Sequence, residues 1–163
     1  STNESDSTSV VRVFKYLAGD WNELGSGIKG EDGSNIYAWS ALISADGDTV
    51  VVSNHRIGNE ASKRSNEDHS HFVKAFRFVS DSWTPYGNMV HSSIQGDSEG
   101  YVISVSDNGE LICVGDPERN SVHLYTLNGK EWTQVGPDII GESTGDMFGS
   151  SVSLSADGSH FAI

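Results

Sequence analysis

The amino-acid sequence predicts an all-β fold made of three copies of one repeat, which together amount to about three blades of a β-propeller. Three kinds of landmark keep the same two intervals, 62 and 49 residues, along the chain. They are the tryptophans Trp21, Trp83 and Trp132, the valines Val11, Val73 and Val122, and the turn residues Asp46, Asn108 and Asp157. A β-sandwich of short strands is the alternative, but a sandwich has no reason to keep an internal register.

Each copy contains four segments with the pattern of β-strands. The first, residues 11–16 in the first copy, carries an aromatic side chain in its fourth position, and the second surrounds the tryptophan. The third alternates small polar and apolar residues, as in residues 151–155, which is the period-2 pattern of a strand with one buried face. An Asp-Gly or Asn-Gly hairpin turn leads to the fourth, which is apolar throughout and therefore predicted to be covered on both faces. Its central residues, Val51, Cys113 and Ala162, are expected to be nearly inaccessible.

The charge of the chain disfavours two classes of partner. Asp and Glu number 23 against 10 Lys and Arg, a formal charge of −13. Carboxylates repel nucleic acid and anionic lipid, so we expect no nucleic-acid partner, and no apolar stretch is long enough for membrane insertion. Cys113 is the only cysteine, which excludes an intrachain disulfide and a zinc–thiolate cluster. Cations and basic partners remain compatible with this charge.

The domain organisation is predicted to be simple. A chain of 163 residues buries one sizeable core. Residues 1–9 are polar and are expected to be a flexible N-terminal segment, and residues 10–163 to be the propeller repeats. The sequence stops within the apolar run 161–163, where a natural terminus is uncommon, so we expect the chain to be part of a larger propeller or assembly.

The third copy carries the most distinctive motif. Residues 145–153 are Gly-Asp-Met-Phe-Gly-Ser-Ser-Val-Ser, followed by Ala-Asp-Gly at 156–158 and Phe-Ala-Ile at 161–163. This motif resembles the FG-GAP-like repeat of integrin-type β-propellers, and the resemblance covers about residues 10–163. The other two copies carry different pairs at the Phe-Gly position, so the motif is degenerate there. These pairs are Tyr37-Ala38 and Glu99-Gly100.

The resemblance implies an order of strands within each blade. In the family, the blade begins at the alternating strand beside the central channel and ends at the tryptophan strand on the rim. Residues 10–25 would then be the outer half of one blade, residues 36–87 and about 98–136 two whole blades, and residues 147–163 the inner half of another. The chain would thus hold two whole blades and two half-blades.

Three blades are too few to close a ring, since propellers use about 4 to 8. Unpaired half-blades would leave strand edges exposed, and such edges invite aggregation. We therefore expect the missing blades to come from further blades of a precursor or from another subunit.

Calcium is the cofactor that the resemblance suggests, because integrin-type blades often bind it between their first two strands. Calcium prefers six to eight oxygen ligands. The corresponding turns offer too few carboxylates, and a hairpin that needs Asp-Gly explains them as well. They are Ala45-Asp46-Gly47-Asp48, Asp107-Asn108-Gly109-Glu110 and Ala156-Asp157-Gly158. We therefore predict no metal and no cofactor.

The first copy has a 13-residue insertion within the segment 53–71. In the family, this connection lies on the face where ligands dock, and a loop of this length is usually functional or disordered. Its basic and imidazole side chains form a possible partner-binding loop. They are His55, Arg56, Lys63, Arg64, His69 and His71. A surface metal pair at His69 and His71 is one alternative, and a mobile solvated loop is the other.

The sequence nominates no catalytic residue, because serines are numerous and none is distinguished by a motif. We therefore expect a non-enzymatic module that binds a protein or glycan partner, in the extracellular space or in a secretory or organelle lumen. One alternative is an architectural segment of a larger assembly. The other is part of a propeller hydrolase or lyase with its catalytic residues elsewhere.

Overall fold

The computed structural model describes residues 10–29, 36–56, 72–88, 90–91 and 101–163, with the backbone alone at positions 36, 37, 39, 54–56 and 91. In this part of the chain every strand pairing is antiparallel, and the other regular element is one short 3-10 helix. Within the same ranges, no helix is long and apolar enough to cross a membrane. The prediction of an all-β protein is confirmed.

The strands follow the repeat along the chain. They are β1 (Val10–Val11), β2 (Phe14–Leu17), β3 (Asp20–Glu23), β4 (Ile28–Lys29), β5 (Ile36–Ile43), β6 (Thr49–Arg56), β7 (Phe72–Val79), β8 (Ser82–Pro85), β9 (Val90–His91), β10 (Val102–Val105), β11 (Leu111–Asp116), β12 (Ser121–Asn128), β13 (Glu131–Gln134), β14 (Ile139–Ile140), β15 (Ser153–Leu154) and β16 (Phe161–Ala162). The 3-10 helix, Pro117–Arg119, connects β11 to β12.

The strands form two larger sheets flanked by two partial ones. One sheet has the order β5-β6-β7-β8 with β9 also paired to β7, and the other has the order β10-β11-β12-β13 with β14 also paired to β12. We call these the first blade and the second blade. Strands β1 to β4 form two pairs that match the outer part of a blade, and β15-β16 matches the inner part. We call these the N-terminal half-blade and the C-terminal half-blade. Closure of such sheets into a ring stays a prediction.

The three tryptophans occupy equivalent positions, as predicted. Each lies on the last strand of its hairpin, at the edge of its sheet. The register pairs Trp21 with Tyr16, Trp83 with Phe78 and Trp132 with Leu127. The first two of these pairs also bring the rings together, with centroids 5.3 Å apart for Tyr16 and Trp21 and 5.1 Å apart for Phe78 and Trp83.

The apolar strand of each blade forms its core. Val51 and Cys113 are fully buried, which confirms the prediction for these two residues. Burial raises the pKa of the Cys113 thiol to about 11, because an apolar environment disfavours the thiolate. Ala162 is exposed, so the prediction is wrong there. The difference has a simple cause: β6 and β11 each lie between two strands, whereas β16 has only β15 beside it.

The outer strands of successive units are held together by the tryptophan indoles. The indole N–H of Trp83 donates to the carbonyl oxygen of Leu24 at 2.8 Å, and that of Trp132 donates to the carbonyl oxygen of Tyr86 at 3.2 Å. The residue after each acceptor is a glycine at positive φ, Gly25 or Gly87, where an added Cβ would lie within 3 Å of an aromatic side chain of the next unit. We call this repeated contact the indole lock.

The inner turns of successive units form a second repeated contact. The N–H of Ala45 donates to the carbonyl oxygen of Asp107 at 3.1 Å, and the N–H of Asp107 donates to that of Ala156 at 2.9 Å. The turn glycine of each later unit also lies against a side chain of the unit before it. Gly109 faces Thr49, and Gly158 faces Leu111. We call this repeated contact the inner-turn contact.

Candidate functional site

Strand ends and described connections of both blades lie at one end of the sheets. Because neighbouring strands are antiparallel, the end of β6 and the start of β7 lie at the same end of the first blade, and the β11–β12 connection lies at the same end of the second blade as the segment that leads on to β15. We call this end the loop face. Its described part contains the 3-10 helix and residues 141–152 of the second blade's exit segment.

A Ser–His–Asp hydrogen-bond chain lies on the loop-face half of the second blade. The Ser121 hydroxyl oxygen is 3.0 Å from Nε2 of His123, and Nδ1 of His123 is 3.0 Å from Oδ1 of Asp138. Ser121 and His123 are two residues apart on β12, so their side chains share one face of the sheet. Asp138 comes from the segment between β13 and β14, which β14 fixes beside β12.

The electrostatics of this chain favour an ionised Asp138. The amide Nε2 of Gln134 donates to Oδ1 of Asp138 at 2.7 Å. This bond, followed by the one from His123, holds the pKa of Asp138 below its usual value. An ionised carboxylate on Nδ1 keeps the imidazole proton on that nitrogen, which leaves Nε2 free to accept a hydrogen bond from Ser121. The nearby phenol of Tyr125 has a raised pKa, chiefly because of burial.

The hydrogen-bond chain is specific to one copy of the repeat. The positions equivalent to Ser121 hold Val10 and Phe72, and those equivalent to His123 hold Arg12 and Lys74. The blade fold therefore does not itself require these polar residues. The order of groups is the one used in acyl transfer, where a histidine takes the hydroxyl proton and a carboxylate orients the imidazole. Ser121, however, is only 2% exposed in this conformation.

The loop beside Ser121 is fixed by Asn120. This residue has a left-handed backbone, with φ of 57°. Its side chain bridges two points of the exit segment, accepting from the N–H of Phe148 at 2.8 Å and donating to the carbonyl oxygen of Ser143 at 2.9 Å. The N–H of Gly141 also donates to the Asn120 carbonyl oxygen at 2.8 Å. Asn120 thus holds the exit segment against the start of β12.

The predicted partner-binding loop is only partly within the described residues. The backbone of His55 and Arg56 belongs to β6 and pairs with β5 at Tyr37 and Ile36. The connection therefore begins later than expected, because β5 and β6 extend their hairpin to residue 56. The other four candidates lie outside the described residues. They are Lys63, Arg64, His69 and His71.

The turn residues considered for calcium are engaged in their own hairpins. Oδ1 of Asp46 accepts from the hydroxyl of Ser44 and from the N–H of Asp48. The same pattern recurs at Asn108 with Ser106 and at Asp157 with Ser155. It explains why a serine opens each turn. No group of three or more possible metal ligands occurs in the ranges that the structure describes.

Comparisons with known proteins find a similar fold but do not identify a family. No protein-family model matches the chain. The solved structure of a protein from Bacteroides fragilis, described as a "putative 6-phosphogluconolactonase", is similar with a TM-score of 0.51 and 16% sequence identity. The similarity covers 80% of this chain and 33% of the other, so the chain spans about a third of that protein. At this identity it shows a shared fold alone.

A curated relative gives a weaker indication. The large ribosomal subunit protein uL6 of Haloarcula marismortui is 27% identical over 131 residues, which cover 74% of this chain and 71% of that protein. This identity does not establish membership of its family.

The prediction of a non-enzymatic protein is contradicted by the similarity to the Bacteroides fragilis structure, because the scaffold that the two share is described for an enzyme. The prediction depended on finding no catalytic set in the sequence. Ser121, His123 and Asp138 were missed because serines are numerous and Asp138 lies in a segment outside the four repeated strands. The available signal was a serine and a histidine two positions apart on a predicted strand, where the other copies have neither.

Proposed function

We propose that the chain forms part of a β-propeller hydrolase that cleaves an ester or a lactone, with the reacting groups on the loop face of the second blade. The observation that carries this proposal is the Ser121–His123–Asp138 hydrogen-bond chain, which the repeat does not require. The shared fold with a protein described as a lactonase supports the same class of reaction.

The proposed roles follow from the geometry. Ser121 Oγ attacks the carbonyl carbon of the substrate while Nε2 of His123 takes the hydroxyl proton, and Asp138 stabilises the imidazolium that forms. The ester or lactone C–O bond then breaks, and His123 returns the proton to the leaving oxygen. Water, activated by the same histidine, releases the acid and restores Ser121. Because Ser121 is covered, its neighbours must move aside before a substrate reaches Oγ.

The test is hydrolysis of an aryl ester and of a six-membered sugar lactone, followed in a pH-stat, by the full chain and three variants. His123→Ala and Ser121→Ala should each lower the rate by about 10²- to 10⁴-fold, and by similar amounts, because the two groups act as a unit. His160→Ala is the matched control, since His160 lies on the β15–β16 hairpin, away from this site, and should leave the rate unchanged.

Three outcomes distinguish the possibilities. Loss of activity in His123→Ala but not in Ser121→Ala would rule out Ser121 as the nucleophile. His123 would then activate the attacking water directly. Equal rates in the parent and both variants would contradict the proposal. So would a parent rate no higher than that of the buffer.

A second proposal concerns the β6–β7 connection, whose counterpart in the second blade is the short segment 117–120. We propose that the adjacent pair Lys63-Arg64 in this connection binds an anionic group of a protein or glycan partner outside the cell; the segment also carries the carboxylates Glu60, Glu67 and Asp68. The double variant Lys63→Ala/Arg64→Ala should lose retention on a sulfated-glycan column. The column is run at 0.1 M ionic strength, where charges more than about 10 Å apart are largely screened from each other. Lys130→Ala, at the opposite end of the second blade, is the control.

A further inference from the structure

We propose that Asn128 is a site of spontaneous covalent modification, at which the side-chain amide is lost as ammonia and an aspartate or an isoaspartate replaces the asparagine. This inference is independent of the proposed activity. The sequence contains two Asn-Gly pairs, Asn108-Gly109 and Asn128-Gly129. The structure leaves the second pair open to the reaction and holds the first pair in a form that cannot react.

The reaction is an attack of the backbone on the side chain. The nitrogen of Gly129 loses its proton to hydroxide and attacks Cγ of Asn128, and the Cγ–N bond of the amide breaks so that ammonia leaves. Water then opens the resulting succinimide at one of its two carbonyl carbons, which gives aspartate or isoaspartate. Glycine favours the attack because it has no Cβ to hinder the approach of its nitrogen. Water and hydroxide are the only co-reactants.

The attacking nitrogen of the Asn128-Gly129 pair is accessible. Asn128 pairs with Glu131 at the end of the β12–β13 hairpin, and Gly129 is in the turn beyond this pair. Gly129 is exposed, has φ of 66° and has no atom within 4 Å of an added Cβ. Among the described residues, none accepts a hydrogen bond from its N–H. The side chain of Asn128 is exposed as well, and its Nδ2 donates to Oγ1 of Thr133 at 2.6 Å. An exposed hairpin end of this kind opens locally at low cost.

The attacking nitrogen of the Asn108-Gly109 pair is held by the fold. Gly109 is buried, and its N–H donates to the carbonyl oxygen of Ser106 at 3.0 Å. Oδ1 of Asn108 accepts from the Ser106 hydroxyl at 2.8 Å and from the N–H of Glu110 at 3.1 Å. An added Cβ on Gly109 would lie 2.6 Å from Cβ of Thr49 in the first blade, so the turn is also enclosed. Attack at Asn108 therefore requires several hydrogen bonds to break first.

The modification affects a contact between the two blades. The carbonyl oxygen of Lys130 accepts from the N–H of Asn88 at 3.1 Å, and the N–H of Trp132 donates to Oδ1 of Asn88 at 2.5 Å. An aspartate in place of Asn128 lies directly opposite Glu131, where like charges destabilise a sheet. An isoaspartate also lengthens the backbone by one atom. Both products therefore weaken the hold of this hairpin on the first blade.

The first test compares the two pairs within one molecule. The full chain is stored in a mildly alkaline buffer, and samples are digested and analysed by liquid chromatography and mass spectrometry. Modified Asn128 should accumulate about 10-fold faster than modified Asn108, or more, because each hydrogen bond that must break slows the attack by a factor of about 2 to 10. Ammonia should appear in the same molar amount as the products, and the rate should rise with pH because the attacking nitrogen must lose a proton.

The unfolded chain is the control for this comparison. In a denaturing concentration of urea, the hydrogen bonds of both turns are lost, and both asparagines are followed by glycine. The two pairs should then react at similar rates. A difference that persists in urea would mean that neighbouring residues in the sequence, and not the two turns, control the reaction.

The second test measures the effect of the product. Asn128→Asp carries the product's charge and should lower the melting temperature at pH 7 by about 1–3 °C, as expected for one repulsive cross-strand pair. The difference should shrink below about pH 4, where carboxylates are protonated. Asn108→Asp is the matched control and should melt near the parent temperature, because Asp46 and Asp157 make the same turn in the other units.

Three outcomes would overturn the proposal. The first is an equal rate at the two pairs in the folded chain, or a faster reaction at Asn108. The second is an Asn128 amide that persists in the folded chain for as long as the unfolded chain takes to react completely. The third is an equal fall in melting temperature for Asn128→Asp and Asn108→Asp in differential scanning calorimetry, which would remove the effect on the contact between the blades.

Discussion

The N-terminal half-blade and the outer half of the second blade share one sequence pattern but not one environment. Trp21 and Trp132 hold the same place in the register, yet Trp21 is 64% exposed and Trp132 is 5% exposed. Both hairpins have the same pairing. The difference comes from the preceding unit, which covers Trp132 with Tyr86 and Gly87, whereas the described residues include no unit in front of Trp21.

This comparison shows that a unit of the repeat does not bury its own tryptophan. Each unit supplies the indole to the unit before it and the carbonyl oxygen to the unit after it. In repeat architectures of this kind, stability is approximately a sum of unit terms and nearest-neighbour interface terms. The three tryptophans therefore allow the interface term to be measured separately from the hairpin itself.

The largest expected effect is from Trp132→Ala. Removing a buried indole leaves a cavity against Tyr86 and Gly87, and we expect a loss of about 3–5 kcal/mol in the free energy of unfolding. The measurement is chemical denaturation followed by far-ultraviolet circular dichroism. Trp21→Ala should lose less than about 1 kcal/mol because its side chain is exposed. Equal losses for the two would contradict the comparison.

A smaller effect is expected at the glycines of the indole lock. Gly87 and Gly136 both have positive φ, so alanine at either position is strained by about 1–2 kcal/mol. At Gly87 the new methyl group would also lie 2.7 Å from Nε1 of Trp132, whereas at Gly136 it meets nothing within 4 Å. Gly87→Ala should therefore lower the melting temperature further than Gly136→Ala. Identical shifts in differential scanning calorimetry would mean that Gly87 can move away from the indole.

The smallest expected effect concerns the acidic turns. Hydrogen bonds from Ser44 and the Asp48 N–H lower the pKa of Asp46, and bonds from the Ser159 N–H and the Ser155 hydroxyl lower that of Asp157 to about 2. Because these pKa values are lower in the folded state, the ionised carboxylates stabilise the folded protein. This contribution is complete above the unfolded-state pKa near 4 and is lost as the pH falls toward 2.

Asparagine offers a matched substitution for this test, since Asn108 makes the same turn in the second blade. The double variant Asp46→Asn/Asp157→Asn should melt near the parent temperature at pH 7. Between pH 4 and pH 2 its melting temperature should fall less than that of the parent. A parallel fall in both proteins would mean that other carboxylates control acid unfolding.

The strands were predictable from the sequence because they repeat. The intervals between Trp21, Trp83 and Trp132 place every hairpin, and the alternation of small polar and apolar residues assigns the inner strands. The burial of Val51 and Cys113 followed from the same pattern. Ala162 did not follow it, because burial depends on the neighbouring strand and not on the residue alone.

The candidate site was not predictable in the same way. Asp138 reaches His123 only because β14 folds back along β12, and that two-residue pairing has no signal in the hydrophobic pattern. The position of Asn120 under the exit segment is likewise a consequence of its left-handed backbone. Such contacts arise from tertiary structure, and the repeat pattern in the sequence does not predict them.

The distance along the chain between contacting residues also affects the order in which the structure forms. Within the second blade, β12 pairs with β11 and β13, its neighbours in sequence, so only short loops must be closed. The indole lock instead joins Trp132 to Tyr86 across 46 residues. Because contacts between distant segments form more slowly, we expect the hairpins of a blade to form before the contacts between blades.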